Sequence, residues 1–179
     1  VAFSAKNLDS AGALMFTASH NPPEYCGIKY IPDYAGPATK DITDTIVKNV
    51  KSIEQGIDIL DKTPKKQGTT EFFDPKPEYF RWIKKLIDLE KIKNAGFKIV
   101  YDPIYSSGKG YFDELLKQYG CDVTTIHNWR DPLYGGGMPE PKEKFLEELK
   151  DYVINHPGSL GFATDGDADR FGVIDEKGN

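Results

Sequence analysis

Cysteine is almost missing: Cys26 and Cys121 are the only two in 179 residues. That count excludes a disulfide framework and fits a reducing, cytoplasmic compartment. Long apolar runs are missing too, the longest being about five residues against the roughly 20 that cross a bilayer. No membrane partner is expected, and no basic, apolar leader resembling a signal peptide precedes the first motif. Excess positive charge is also missing. The chain has 23 Lys and Arg against 28 Asp and Glu, a net charge of −5, which argues against a nucleic-acid partner. An anionic substrate would have to be held by particular Lys, Arg, metal or backbone N–H groups. Internal repeats and low-complexity segments are absent. The remaining composition, 39% hydrophobic and 28% charged, is that of an ordinary globular protein, one large domain or two small ones.

Carboxylate, by contrast, is concentrated at one place. Thr164-Asp165-Gly166-Asp167-Ala168-Asp169-Arg170 sets three aspartates at alternate positions and follows them with an arginine. Extended backbone points alternate side chains the same way, and a tight turn at Gly166 would also gather the oxygens. Three anions so crowded are costly unless a cation sits among them. All-oxygen ligands suit Mg²⁺, Mn²⁺ or Ca²⁺ and do not suit zinc. A helix–loop–helix calcium site is excluded. Asp165, Asp167, Asp169 and Glu176 do fall at positions 1, 3, 5 and 12, but the sixth position needs glycine and is Arg170, and the flanks 160–163 and 171–174 read as strands. A solvated acidic turn between two strands is the alternative.

The chain opens on the end of an amphipathic helix, Val1 to Leu8. Asp9 to Gly12 turns into Ala13-Leu14-Met15-Phe16, an apolar run that reads as a buried strand. It ends in Thr17-Ala18-Ser19-His20-Asn21-Pro22-Pro23, a polar loop whose prolines forbid a helix. Ser19 lies where open α/β sheets place ligands, and His20 beside it is a candidate base or phosphate contact. The hydrolase G-x-S-x-G elbow is absent, so the loop reads as a polar cap as readily as a nucleophile. Gly27 to Ile31 is a second strand returning to the first, from which Lys29 would reach the serine loop; an ordinary surface lysine is the other reading. A helix then starts at Pro37–Thr39, with Ile42, Ile46, Val50 and Ile53 in one apolar stripe, and Gly56 stops it.

Residues 59–70, polar with Pro64 and Gly68, read as a linker between units at 1–58 and 71–179. Beyond it the spacing predicts a helix over 77–89 with Tyr79, Phe80, Ile83, Leu86 and Ile87 on its buried side. A strand over 97–101, a helix over 111–119 stopped by Gly120, a strand over 122–126 and a helix over 142–155 follow, and then the strand entering the aspartates. This alternation predicts an α/β fold with a mainly parallel sheet, and it puts Asp165 just past the carboxyl end of its strand. Asp102 to Gly110 fails the P-loop spacing and reads as a structural strand-to-helix turn. Gly135 to Pro141 reads as a flexible rim loop without chemistry.

Two motifs in this order, Thr17-Ala18-Ser19-His20-Asn21-Pro22 and Asp165-Gly166-Asp167-Ala168-Asp169-Arg170, resemble those of the α-D-phosphohexomutases, and Gly27-Ile28-Lys29 is a third match. The resemblance implies two three-layer α/β/α units with mixed, mainly parallel sheets, the first one incomplete: the later part of the family's domain 1 (1–58) and its domain 2 (71–179). It implies that Ser19 carries a phosphoryl group, that Asp165, Asp167 and Asp169 bind Mg²⁺ together with a phosphoserine oxygen, that Lys29 is a general acid/base, and that His20 and Arg170 lie close to the reacting phosphate. The implied activity interconverts hexose 1-phosphate and hexose 6-phosphate through a hexose 1,6-bisphosphate, with glucose 1,6-bisphosphate as activator and one Mg²⁺. Cys26 departs from the asparagine common before Gly27, and Thr17 leans toward the glucose/mannose branch rather than the glucosamine branch. Family members have four domains, so domains 3 and 4 would be the missing partners of this stretch, and the chain alone is expected to be inactive as a mutase. A residual phosphatase and a non-catalytic metal- or phosphosugar-binding module are the competing functions.

Overall fold

A computed structural model describes residues 1–57 and 68–179. Residues 59–67 of the expected linker lie outside the described residues. By its internal contacts the chain divides into two units, Val1–Met15 with Lys29–Pro75, and Phe16–Ile28 with Lys76–Asn179. The serine loop therefore groups with the aspartates, although in sequence it lies among the residues of the first unit.

The first unit holds helix α1 (Ala2–Asn7), helix α2 (Lys40–Glu54) and, except for their end residues Phe16 and Ile28, the paired strands β1 (Gly12–Phe16) and β2 (Ile28–Pro32). Thr39 stands at the N-cap of α2 in extended conformation, Asp41 favours the helix dipole in the first turn, and Gly56, at φ 75°, ends it in the left-handed region. No residue of α2 is buried; Ile46, Val50 and Ile53 are 39%, 48% and 51% exposed. The expectation of a buried first strand fails. Alternation places Leu14 and Phe16 on one face of β1, and both are exposed.

In the second unit, α3 (Lys76–Ile83), α4 (Leu89–Asn94), β3 (Lys98–Asp102), α5 (Phe112–Gln118), β4 (Asp122–Thr125), α6 (Glu147–Asn155), β5 (Ser159–Thr164) and β6 (Phe171–Ile174) build a sheet of order β4-β3-β5-β6. β3 pairs parallel with both β4 and β5, and β6 closes the row antiparallel. Alternation along β3 sends Ile99 to one face and Val100 to the other. Ile99 joins Phe80, Leu89, Leu115 and Leu116, while Val100 joins Leu146, Leu149, Val153, Ala163 and Ile174. Each fully buried leucine or valine of these layers contributes about 2 kcal/mol. This is an α/β fold with a mixed, mainly parallel sheet covered on both sides.

Two helix expectations need correcting. The predicted helix over 77–89 stops at Ile83, because Asp88 caps a new helix by accepting the Lys91 N–H at 2.9 Å. Leu86 and Ile87 are consequently exposed. The helix predicted over 142–155 begins as a 3-10 turn, Glu143–Phe145, and becomes α-helical only at Glu147. Leu146, at φ −113°, leaves helical geometry to enter the core.

Candidate active site

The groups of the site belong to the second unit, Lys29 excepted. β5 carries the chain to Asp165, which is wholly buried. Its Oδ1 accepts the backbone N–H of Asp169 at 2.9 Å and of Arg170 at 3.0 Å, so the loop closes around its first carboxylate. Asp165, Asp167 and Asp169 each offer an oxygen within 4.8 Å of the others. Burial pushes the Asp165 carboxyl above its ordinary range; the Arg170 N–H opposes this, and the neighbouring Asp167 and Asp169 charges add to it. A half-open trio of oxygen donors with one carboxyl held reluctantly ionised fits a hard divalent cation.

The serine loop is tied at both ends. Thr17 N–H donates to the Gly27 carbonyl at 3.0 Å, and Gly27 is compulsory because a Cβ there would lie 2.6 Å from the Thr17 oxygen. Within the loop, Asn21 folds back on the Ala18 carbonyl through both its backbone and side-chain N–H groups. Ser19 stands at φ 56°, a left-handed conformation that serine seldom adopts and that recurs at functional positions. Its hydroxyl lies 3.1 Å from Asp167 Oδ1 and 3.4 Å from Asp165 Oδ2, and Arg170 Nη2 donates to it at 2.7 Å. Thr17 Oγ1 accepts the Ser19 N–H at 2.8 Å and donates to Asp167 at 3.3 Å. Arg170 also touches His20 Nδ1, and its Nε donates to Asp165 Oδ2 at 3.1 Å.

Ser19, His20, Asp165, Asp167, Asp169 and Arg170 thus converge on one point from two loops about 150 residues apart. Lys29 lies on β2, is exposed, and groups with the first unit.

Three supports of this point were not read from the sequence. Ser107 donates to the Gly166 carbonyl at 2.9 Å, and the Ser106 hydroxyl, shared with the nearer Pro103 carbonyl, lies 3.1 Å from the Asp165 carbonyl, so the loop after β3, expected to be a structural turn, braces the aspartates. Gly166 N–H donates to the Pro139 carbonyl at 3.0 Å, and a Cβ on Gly166 would meet the Ser19 carbonyl oxygen at 2.2 Å, so only glycine lets the two loops approach. Glu140 is nearly buried; the Lys142 ammonium, 2.9 Å away, holds its carboxyl below the usual range. Of the loop 135–141, Glu140 and Pro141 line a cleft of about 440 Å³ together with Lys142, Asp169, Arg170 and Phe171. The Ser-Ser-Gly sequence after a strand and the Pro-Glu-Pro sequence were the available signals.

The family models for phosphoglucomutase/phosphomannomutase match this chain twice, alpha/beta/alpha domain I over residues 1–56 and alpha/beta/alpha domain II over 77–178. The chain is 33% identical to the phosphoglucosamine mutase of Methanococcus vannielii over 183 residues, covering 98% of this chain and 38% of that one. It is 29% identical to "Probable phosphoglucomutase, cytoplasmic 1" of Arabidopsis thaliana over 198 residues, covering 94% and 34%. It superposes on a crystal structure of a phosphoglucomutase/phosphomannomutase family protein from Burkholderia thailandensis with a TM-score of 0.76 and 25% identity, covering 95% of this chain and 34% of that one. The chain therefore spans less than two fifths of the length of these relatives. Among the described residues, no helix is long and apolar enough to cross a membrane.

Proposed function

The chain belongs to the phosphoglucomutase/phosphomannomutase family, and we propose from that premise that it forms part of an enzyme interconverting hexose 1-phosphate and hexose 6-phosphate, with Ser19 carrying the phosphoryl group. The observation behind this reading is the Ser19 hydroxyl, within hydrogen-bond reach of two aspartates and an arginine at once. A phosphorylated Ser19 would exchange its contacts with the aspartates for contacts to a cation, and Arg170 would donate to phosphate oxygens.

Asp165, Asp167 and Asp169, with a phosphoserine oxygen, would hold Mg²⁺. Bound there, the ion would supply Lewis-acid withdrawal of charge from the phosphorus. Phosphoryl transfer asks the protein for positioning and charge neutralisation more than for covalent chemistry. Arg170 answers both demands, since Asp165 Oδ2 anchors its guanidinium through both Nε and Nη2 while Nη2 also reaches the Ser19 hydroxyl that would carry the phosphate. His20 lies against the same guanidinium and offers a second hydrogen-bonding group. By the family resemblance, Lys29 takes the proton of the attacking sugar hydroxyl. The bisphosphate formed would reorient and return its other phosphate to Ser19, which makes glucose 1,6-bisphosphate an activator.

The substrate is assigned as a hexose phosphate without naming the sugar. Thr17 was the residue leaning toward glucose or mannose, but its hydroxyl serves the Ser19 amide and Asp167, which a serine would do equally. Domains beyond this stretch would complete the sugar site, so the chain alone should bind and accept phosphate without sustained mutase turnover.

The test is incubation with glucose 1,6-bisphosphate and Mg²⁺, followed by peptide mass spectrometry. One phosphate on Ser19, lost in Ser19→Ala, is expected. Phosphate on Ser4, Ser106 or Ser107 and never on Ser19 would sink the mechanism, and rapid release of inorganic phosphate would favour the phosphatase.

A further inference from the structure

A second network of ionisable side chains sits at the carboxyl end of β3. Asp102, the last residue of that strand, is 1% exposed. Its Oδ1 accepts the Ile104 N–H at 2.7 Å, and its Oδ2 faces His127 Nδ1 at 2.9 Å. His127 Nε2 faces Glu148 Oε2 on α6, also at 2.9 Å. Burial pushes the Asp102 carboxyl up and the adjacent His127 pulls it back. The histidine grips the following loop in two further ways. Its carbonyl accepts the Tyr105 N–H at 3.1 Å, and its ring stacks on Tyr105 with centroids 4.5 Å apart.

What this grip holds is costly. Ile104, Tyr105 and His127 all have left-handed backbone, at φ 48°, 56° and 47°. A β-branched isoleucine there is a marked outlier, and such residues persist only where the surroundings over-determine them. Apolar side chains are often no less stabilising in such a place than a buried ionic network. The loop so held ends in Ser106 and Ser107, whose hydroxyls fix the Asp165 and Gly166 carbonyls. The chain of contacts thus runs Glu148, His127, Asp102 and Tyr105, Ser106 and Ser107, and then the aspartate loop.

We propose that His127 is a positioning residue for the metal site: by clamping the loop 103–108 it sets the backbone from which Asp165 and Asp167 present their oxygens. This rests on the reading of Asp165, Asp167 and Asp169 as cation ligands. It predicts that His127, which offers the cation nothing itself, governs its affinity. Removal of a group hydrogen-bonded directly to a metal ligand typically weakens binding about 10–100-fold, and His127 acts further out, through the loop, so the lower end of that range is expected.

Mn²⁺ titration calorimetry on the chain tests it, with Asp167→Asn as the control that loses binding. His127→Gly tolerates the left-handed backbone and removes the ring; His127→Asn tolerates the same backbone and restores a donor near the Nδ1 position. Expected is a loss of about tenfold in His127→Gly, largely recovered in His127→Asn. Unchanged affinity in His127→Gly beside a failing Asp167→Asn would overturn the proposal. Amide hydrogen exchange on the metal-free chains reads the clamp without the metal. Tyr105 and Gly166, whose N–H groups donate to the His127 and Pro139 carbonyls, should lose protection in His127→Gly and largely regain it in His127→Asn. Gly166 protection unchanged in His127→Gly would also overturn the proposal. If the unmutated chain binds no Mn²⁺, the metal reading fails, while the exchange pattern still decides whether His127 holds the loop.

Discussion

The two units handle apolar surface in opposite ways. In the second, β3 is buried on both faces, and the layers around Val100 and Ile99 enclose Leu149 and Val153 completely. In the first, a 15-residue helix with a clear apolar stripe buries none of its residues, and the only buried hydrophobic side chains are Ala5 and Ile31 among the described residues. The serine loop groups with the well-packed unit. A left-handed Ser19, a backbone contact that admits only glycine and three crowded carboxylates each cost free energy. A closed core supplies the surplus that such features consume.

The largest test of this contrast is Leu149→Ala. At 0% exposure it should destabilise the second unit by about 3 kcal/mol through lost transfer energy and the cavity left behind. Both tryptophans, Trp82 and Trp129, lie in that unit, so fluorescence-monitored urea denaturation reads it selectively. A loss below about 1 kcal/mol would mean that the core is loosely packed around this side chain.

An intermediate effect comes from the site itself. Asp165 has a folded-state pKa raised, chiefly by burial. Its contribution to stability is therefore fully present below the unfolded carboxylate pKa and is lost as pH rises through the folded value. In EDTA, Asp165→Asn should gain stability over the unmutated chain progressively as pH rises above the ordinary carboxylate range. A gap that stays constant or narrows with rising pH would rule out burial as the dominant cause.

The smallest effect belongs to the first unit. Val50→Ala, at a position 48% exposed, should change stability by less than about 0.5 kcal/mol by far-ultraviolet circular dichroism. A loss near that of Leu149→Ala would erase the contrast between the units.

How much of this was legible follows from how far each cause reaches along the chain. β3 and β5 were readable because a strand's apolar run is local, and the aspartate trio because its spacing is local. The break between α3 and α4 was hidden, because Asp88 caps a helix inside an apolar periodicity that continues through Leu86 and Ile87. The exposure of α2 was hidden because a stripe records a preference for burial and not its fulfilment. The convergence of Ser19 on Arg170 was foreseen only through the family motifs, since nothing in either loop refers to the other. The hydroxyls of Ser106 and Ser107 bond carbonyls 59 positions away, and carbonyls carry no side-chain signature.

The tie between Thr17 and Gly27 also bears on how this loop can evolve. With its two ends pinned, the segment between them behaves as a tethered cassette, and its length enters the free energy only logarithmically: doubling it costs about 0.6 kcal/mol. Insertions between Glu24 and Cys26, on the exposed side of the loop, are therefore far cheaper than a single methyl group on Gly27, which would drive the tether apart. The length of the segment is free to drift while its clasp is not.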